Sequence, residues 1–221
     1  MFDAREMDIF VDMCTQRDYL ATDGACPSHN ATLIHSNLKR LMALARWAKI
    51  PTLSCVDARR PEDVRGLPRP HCVIGTAGQR KLTFSVMPDH VLVESDNCLC
   101  ISLDILKQHQ QAILTKEHRD PFTNPKLDRL LTELPTRRFV VFGMLLESSI
   151  RLLTLGLMLR HRRVTLVNDA CGWWDPEEGE MTMRQLAAKG CELTTTNALI
   201  ESNLARYKTV RTNGQRRRSV A

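Results

Sequence analysis

Short apolar runs of four or five residues alternate along this chain with longer segments whose apolar residues recur at helical spacing. No other property restricts its fold so much. A strand, a helix and a second strand in succession can pair the strands in parallel only if the helix crosses one face of the sheet. Repeated, the pattern makes a parallel sheet covered on both sides. The predicted strands are Met7 to Val11, Thr52 to Val56, Gln111 to Thr115, Phe139 to Phe142, Val164 to Val167 and Cys191 to Thr194. The expected fold class is therefore α/β: a three-layer αβα sandwich with a Rossmann-like, doubly wound, mainly parallel six-stranded sheet.

Between the first two strands, Ser28 or Asn30 can cap a helix. Its apolar residues Leu33, Ile34, Leu38, Leu41, Met42, Leu44, Ala45 and Trp47 keep helical spacing until Pro51 stops it. Lys126 to Leu134 reads as a short helix after Pro125, Ser149 to Arg160 as one apolar almost all round, and Met181 to Lys189 as an amphipathic one ended by Gly190. The stretch from Leu82 to Leu106 stays unassigned, because VLVES looks like an extra strand and CLCISLDILKQHQ fits strand or helix. The loop from Arg59 to Arg69, rich in Arg, Pro and Gly, reads as a surface excursion near one end of the sheet.

At 221 residues and 43% apolar content, the chain suits one large domain with a two-sided core. That domain is expected over residues 1–205. No apolar stretch approaches the roughly 20 residues needed to cross a bilayer, and the N-terminus lacks a signal-peptide pattern, so a soluble cytoplasmic protein without membrane contact is expected. The eight cysteines contain no C-x-x-C pair and no companion histidine spacing, which argues against a structural metal. Cys14, Cys55, Cys72, Cys171 and Cys191 lie in or beside apolar runs and read as buried free thiols, whereas Cys98 and Cys100 are too isolated to support an argument.

The formal charge of +6 equals the six basic residues Arg206, Lys208, Arg211, Arg216, Arg217 and Arg218, which leaves the body near neutral. Residues 206–221 are thus a basic tail that could touch nucleic acid or an acidic partner. With no aromatic platform or basic face beside it, a solvated terminus is the favoured reading and nucleic-acid binding is not expected.

In an open parallel sheet the strands present their carboxyl ends along one edge, where ligands bind. Reading each strand forward collects Asp12 after IFV, Asp57 after LSCV, Lys116 after AILT, Ser148 and Ser149 after FVVFGMLLE, and Asp169 after TLVN. Asp12 reads as a general base, as an acid held near Lys116, or as a cap for the loop that follows. Lys116 is either a solvated lysine ahead of the EHRD loop or one turned into the crevice to hold a carboxylate or steer a proton. Ser149 sits where a buried helix should begin, which suits an N-cap or a site that stabilises an anion, and Ser148 competes for either role.

Taken in order, FVDMCTQRDYL, HCVIGTAGQRKL, ILTKEHRDPFTNPKLDRLL and FVVFGMLLESSIRLLTLGLMLRHRRVTLVNDACG resemble the isochorismatase-like (cysteine hydrolase) family. This family includes isochorismatases, nicotinamidases, carbamoylases and related amidohydrolases. The resemblance runs from Met7 to Leu199, and its last two segments agree in spacing, in Gly143 and Glu147, and in the ending DACG. It implies a reaction centre of Asp, Lys and Cys, whose positions hold Asp12, Lys116 and Ser149 here, so serine replaces the nucleophilic cysteine. It also implies a cis peptide near Met144 and Leu145, with backbone support for an oxyanion from Leu145, Ser148 and Ser149.

A thiol ionises near neutral pH with modest help, while a hydroxyl needs a strong base, so Ser149 is expected to be the weaker nucleophile. Isochorismatases themselves lack the cysteine and use acid chemistry at the Asp on a vinyl ether. Nicotinamidases carry Asp-x-His after the second strand, and this chain reads Asp57, Ala58, Arg59. A guanidinium cannot ligate a metal, so no catalytic metal is expected. Asp57 and Arg59, with Arg60, are instead candidates for substrate binding, against the plainer reading of solvated loop charges. His71 and Cys72 are expected to shape their loop, with Gly75 and Gly78 allowing its turns. The resemblance thus implies a cofactor-independent, self-associating hydrolase of a small amide, carbamoyl or vinyl-ether compound. The alternative is a catalytically silent relative that binds a metabolite or a protein.

Overall fold

The computed structural model describes residues 7–96 and 98–206, so the basic tail beyond Arg206 lies outside the described residues. Seven strands form one sheet: β1 (Asp8–Met13), β2 (Thr52–Asp57), β3 (His90–Val93), β4 (Gln111–Lys116), β5 (Arg138–Gly143), β6 (Val164–Cys171) and β7 (Glu192–Thr194). Their order is β3-β4-β2-β1-β5-β6-β7, and each neighbouring pair is parallel. The strand beyond the expected six is β3, formed from the VLVES region. As a short, half-exposed edge strand paired only with β4, it has the weakest hydrophobic signature of the set.

Helices α1 (Arg17–Leu20), α2 (Ala31–Ala48), α3 (Ile105–Gln108), α4 (Pro125–Glu133), α5 (Arg151–Leu159) and α6 (Pro176–Ala188) join the strands, and α7 spans 196–206. β1 and β2 are buried along their whole length, as parallel strands covered on both faces must be. From β1 the chain moves outward through β2 to β4, then returns to place β5 on the other side of β1. That reversal opens a crevice at the carboxyl ends of the central strands.

Local signals explain most helix ends. α2 stops at Lys49, whose φ of 54° is left-handed and whose N–H closes on the Ala45 carbonyl. Asn30 does not cap α2 through its side chain. Its Nδ2 donates to the Cys171 carbonyl at 3.0 Å and its Oδ1 accepts from Trp173 N–H at 3.0 Å, tying the helix start to the end of β6. α6 begins at Pro176 rather than Met181, because Asp175 accepts from the N–H groups of Glu177 and Glu178 at 2.8 and 2.9 Å. Aspartate, proline and two acids in a row are a helix start legible in the sequence. α7 was not anticipated. Its first residue, Thr196, donates through both N–H and Oγ1 to Asp169 Oδ1 at 2.8 Å.

Cys14, Cys55, Cys72, Cys171 and Cys191 are buried free thiols, as expected, and Cys26 joins them. Among the described residues, no helix is long and apolar enough to cross a membrane.

Candidate active site

The register of β2 against β4 sets Asp57 directly beside Lys116. Both residues end their strands, and residues paired in register point to the same face of a sheet. Lys116 Nζ donates to Asp57 Oδ1, to the His118 carbonyl at 3.1 Å and to Ser149 Oγ at 3.1 Å. Asp57 Oδ2 accepts from the Tyr19 hydroxyl. The Asp57 N–H donates to Gln16 Oε1 at 2.7 Å, and Gln16 Nε2 donates back to the Asp57 carbonyl at 2.8 Å. Tyr19 and Gln16 thus clamp a carboxylate whose other oxygen holds the lysine.

Burial alone would push the Lys116 ammonium towards neutrality, but the Asp57 carboxylate outweighs it, and Lys116 titrates above the ordinary lysine range. Burial likewise raises Asp57, yet Lys116 and the Tyr19 hydroxyl together hold it below the usual carboxylate range. Both members of the pair are therefore ionised at neutral pH. Lys116 meets Ser149 as a hydrogen-bond donor with a full positive charge.

Asp12 does not reach Lys116. Its Oδ2 accepts from Lys81 Nζ at 2.6 Å, Ser54 Oγ at 3.0 Å and Thr15 Oγ1 at 3.1 Å, and Oδ1 has no partner. Face parity is the reason. Asp12 pairs in register with Ser54 and shares its face, whereas Ser54 and Asp57 lie an odd number of residues apart and point to opposite faces. Two buried Lys–Asp pairs result, Asp57–Lys116 and Asp12–Lys81; the first reaches the cleft through Asp57, and neither member of the second lines it. Lys81 reaches Asp12 across 69 residues of sequence; it stands in the HCVIGTAGQRKL segment, but no spacing there tells which of its polar residues turns inward. The other rim acid, Asp169, is taken up at the start of α7.

Ser149 lies within a π-helical turn, Leu146–Ile150, that precedes α5, so it is not that helix's N-cap. β5 ends at Gly143 with φ of 113°, and the Met144–Leu145 peptide is cis where the resemblance places one. Met144 N–H donates to the Met13 carbonyl at 2.7 Å and Leu146 N–H to the Gly172 carbonyl at 2.8 Å, which stitches the turn to β1 and to the residue after β6. The Leu145 carbonyl closes the turn by accepting from Ser148 N–H at 3.2 Å and Ile150 N–H at 3.0 Å. The Ser148 N–H is therefore already engaged.

A cleft of about 680 Å³ opens above Ser149. The Arg59–Arg69 loop is exposed along most of its length, as expected of a surface excursion, and also forms one wall of the cleft, because Arg59 N–H and its carbonyl pair with Cys72 O at 3.0 Å and Ile74 N at 2.9 Å. Arg59, Arg69 and Arg119 line the space. Of its three acids, Asp57 is held by Lys116, Glu117 pairs with Arg60 at 3.2 Å, and Asp63 is exposed on the loop. Tyr19, His71 and Trp174 form an aromatic wall with ring centroids 5.3 to 6.2 Å apart. His71 is kept neutral by burial, and its Nδ1 bonds the Arg69 carbonyl at 2.7 Å. Cys14, in a left-handed conformation at the end of β1, also lines the cleft, and burial and then the Asp57 charge push its thiol up.

A metal does not fit this donor set. Both Asp57 oxygens are occupied and an arginine stands at position 59. Among the described residues, no group of three or more His, Cys, Asp or Glu side chains is placed to hold an ion.

The matching family description is the isochorismatase domain, over residues 7–198. None of the curated proteins matches the sequence. Among solved structures, the chain is similar to a pyrazinamidase of Pyrococcus horikoshii in complex with zinc, at 18% identity and TM-score 0.68, over 85% of this chain and 98% of that one. It is similar to an isochorismatase-like hydrolase from Alkaliphilus metalliredigens at 16% identity and TM-score 0.69, over 89% and 98%. It is also similar to a MAR1 ribonuclease from Caenorhabditis elegans at 16% identity and TM-score 0.60, over 90% and 81%. At such identities the likeness is one of fold, and an amidase and a ribonuclease on one fold show that the fold does not choose the substrate.

Proposed function

The chain belongs to the isochorismatase family, and from that premise we propose that it hydrolyses a small anionic amide or carbamoyl compound through Ser149. The observation that carries this reading is the 3.1 Å hydrogen bond from Lys116 Nζ to Ser149 Oγ at the floor of the cleft. A fixed, desolvated cation beside a hydroxyl lowers the cost of negative charge developing on its oxygen. In the proposed step, Ser149 Oγ bonds to the substrate carbonyl carbon, the C–N bond breaks, and the hydroxyl proton leaves with the departing nitrogen. Water then cleaves the acyl-serine and restores the hydroxyl. Arg59, Arg69 and Arg119 supply the positive wall for an anionic group. Vinyl-ether chemistry is less well supported, because it asks for a protonated acid and Asp57 is held ionised.

One observation favours a second reading. Lys116 is the hydrogen-bond partner of Ser149 Oγ among the described residues, and held as a cation it cannot accept the hydroxyl proton. A silent, ligand-binding relative would look the same. The two readings separate in a screen of wild type, Ser149→Ala and Ser149→Cys against small amides and carbamoyl compounds, with and without a carboxylate, and against vinyl ethers. The hydrolase reading expects turnover by wild type that falls on the order of 10³-fold or more in Ser149→Ala. A wild type without turnover that gains it only as Ser149→Cys would establish the binding protein.

A further inference from the structure

Six of the eight cysteines are buried and two are not. Burial raises the thiols of Cys14, Cys55, Cys72, Cys171 and Cys191, with Cys55 pushed up to about 12 and Cys191 to about 11, so these are inert. Cys98 and Cys100 lie instead on the segment between β3 and α3, one half-buried and the other exposed. The Cys100 N–H donates to Cys98 Sγ at 3.1 Å, which folds the chain back over that sulfur. The segment is anchored to α4. Cys98 N–H donates to Asp96 Oδ1 at 3.0 Å, Asp96 pairs with Lys126 at 2.6 Å, and Arg129 Nη1 donates to the Leu99 carbonyl at 3.0 Å.

We propose that Cys98 and Cys100 form a dithiol redox site, in which Cys98 attacks a low-molecular-weight disulfide and Cys100 resolves the adduct. The thiolate of Cys98 bonds to one sulfur of the small disulfide, whose S–S bond breaks and releases one thiolate. Cys100, losing its proton to solvent, then attacks Cys98 Sγ and expels the second thiolate. The protein dithiol is oxidised to one S–S bond and the small disulfide is reduced to two thiols. The order of attack follows from the geometry of the pair: the Cys100 N–H donates to Cys98 Sγ at 3.1 Å, which favours the thiolate at Cys98 and lowers its thiol.

The test treats the full chain with glutathione disulfide under native conditions, with intact masses, mapped peptides and a circular dichroism spectrum for each protein. Wild type should lose two hydrogens, with the bond mapped to Cys98 and Cys100. Cys100→Ser should stop at a glutathione adduct on Cys98. Cys98→Ser should react on the order of tenfold more slowly. The proposal is overturned if wild type accumulates stable adducts, if Cys98→Ser reacts as fast as Cys100→Ser, or if the folded double serine variant oxidises as wild type does.

Discussion

Replacing Asp57 by alanine is expected to destabilise the protein by about 3–5 kcal/mol, because it leaves the Lys116 ammonium buried without a counter-charge. The side chains of the pair are 0% and 7% exposed, so neither group has water to fall back on. Lys116→Ala should cost a similar amount for the mirror reason. The double change Asp57→Leu with Lys116→Met, which removes both charges and keeps most of the volume, should cost clearly less than either alanine variant. Urea unfolding of the four proteins decides the matter. An Asp57→Ala variant within about 1 kcal/mol of wild type, the level of an exposed ion pair, would mean that the pair is hydrated in solution.

The pH dependence of this contribution follows from the two shifts. Asp57 is lowered by folding, so its contribution is complete above the unfolded value of about 3.9 and is lost as pH falls through the folded one. Lys116 is raised, so its contribution is complete below the unfolded value of about 10.4 and is lost as pH rises through the folded one. Between those limits the pair contributes no pH dependence to wild type, whereas in Asp57→Ala burial pushes the unpaired Lys116 towards neutrality, so the variant regains stability and the difference shrinks as pH rises towards the unfolded lysine value. A wild-type contribution from the pair that changes steeply near pH 7 would contradict the assignment of both charges.

Gly143→Ala is expected to cost about 2–5 kcal/mol and to remove whatever activity depends on Ser149. Gly143 has φ of 113°, a conformation that side-chain-bearing residues avoid. A Cβ there would lie 2.1 Å from the Met13 carbonyl oxygen and 2.9 Å from its backbone N. That carbonyl accepts the Met144 N–H at 2.7 Å, so the obstruction is backbone in the central sheet and cannot swing aside. Relief requires the turn carrying Ser149 to move away from β1 and from the Lys116 ammonium. A variant that unfolds at the wild-type urea concentration would show that the approach of β5 to β1 is loose enough to accept a Cβ.

The uneven legibility of the site has a local explanation. Ser149 is legible because it follows an apolar strand, and the cis peptide because the continuous segment FVVFGMLLESS carries the family resemblance that implies it. Lys116 and Asp57 could be put on the rim because each directly follows an apolar strand. Tyr19 and Gln16, which clamp Asp57, stand in a quoted motif, but no spacing rule tells which of its polar residues turns inward. β3 and α7 were missed or left open for the opposite reason: an edge strand and a mostly exposed helix carry little periodic apolar signal.

What the sequence by itself determined is the layered α/β architecture, the family resemblance and the set of polar residues at the strand ends, since each depends on patterns within a few residues of one another. Only the tertiary structure decided which acid meets Lys116. Asp12 and Asp57 both end central strands, and register and side-chain parity, set by contacts between strands far apart in the chain, send one to Lys81 and the other to Lys116.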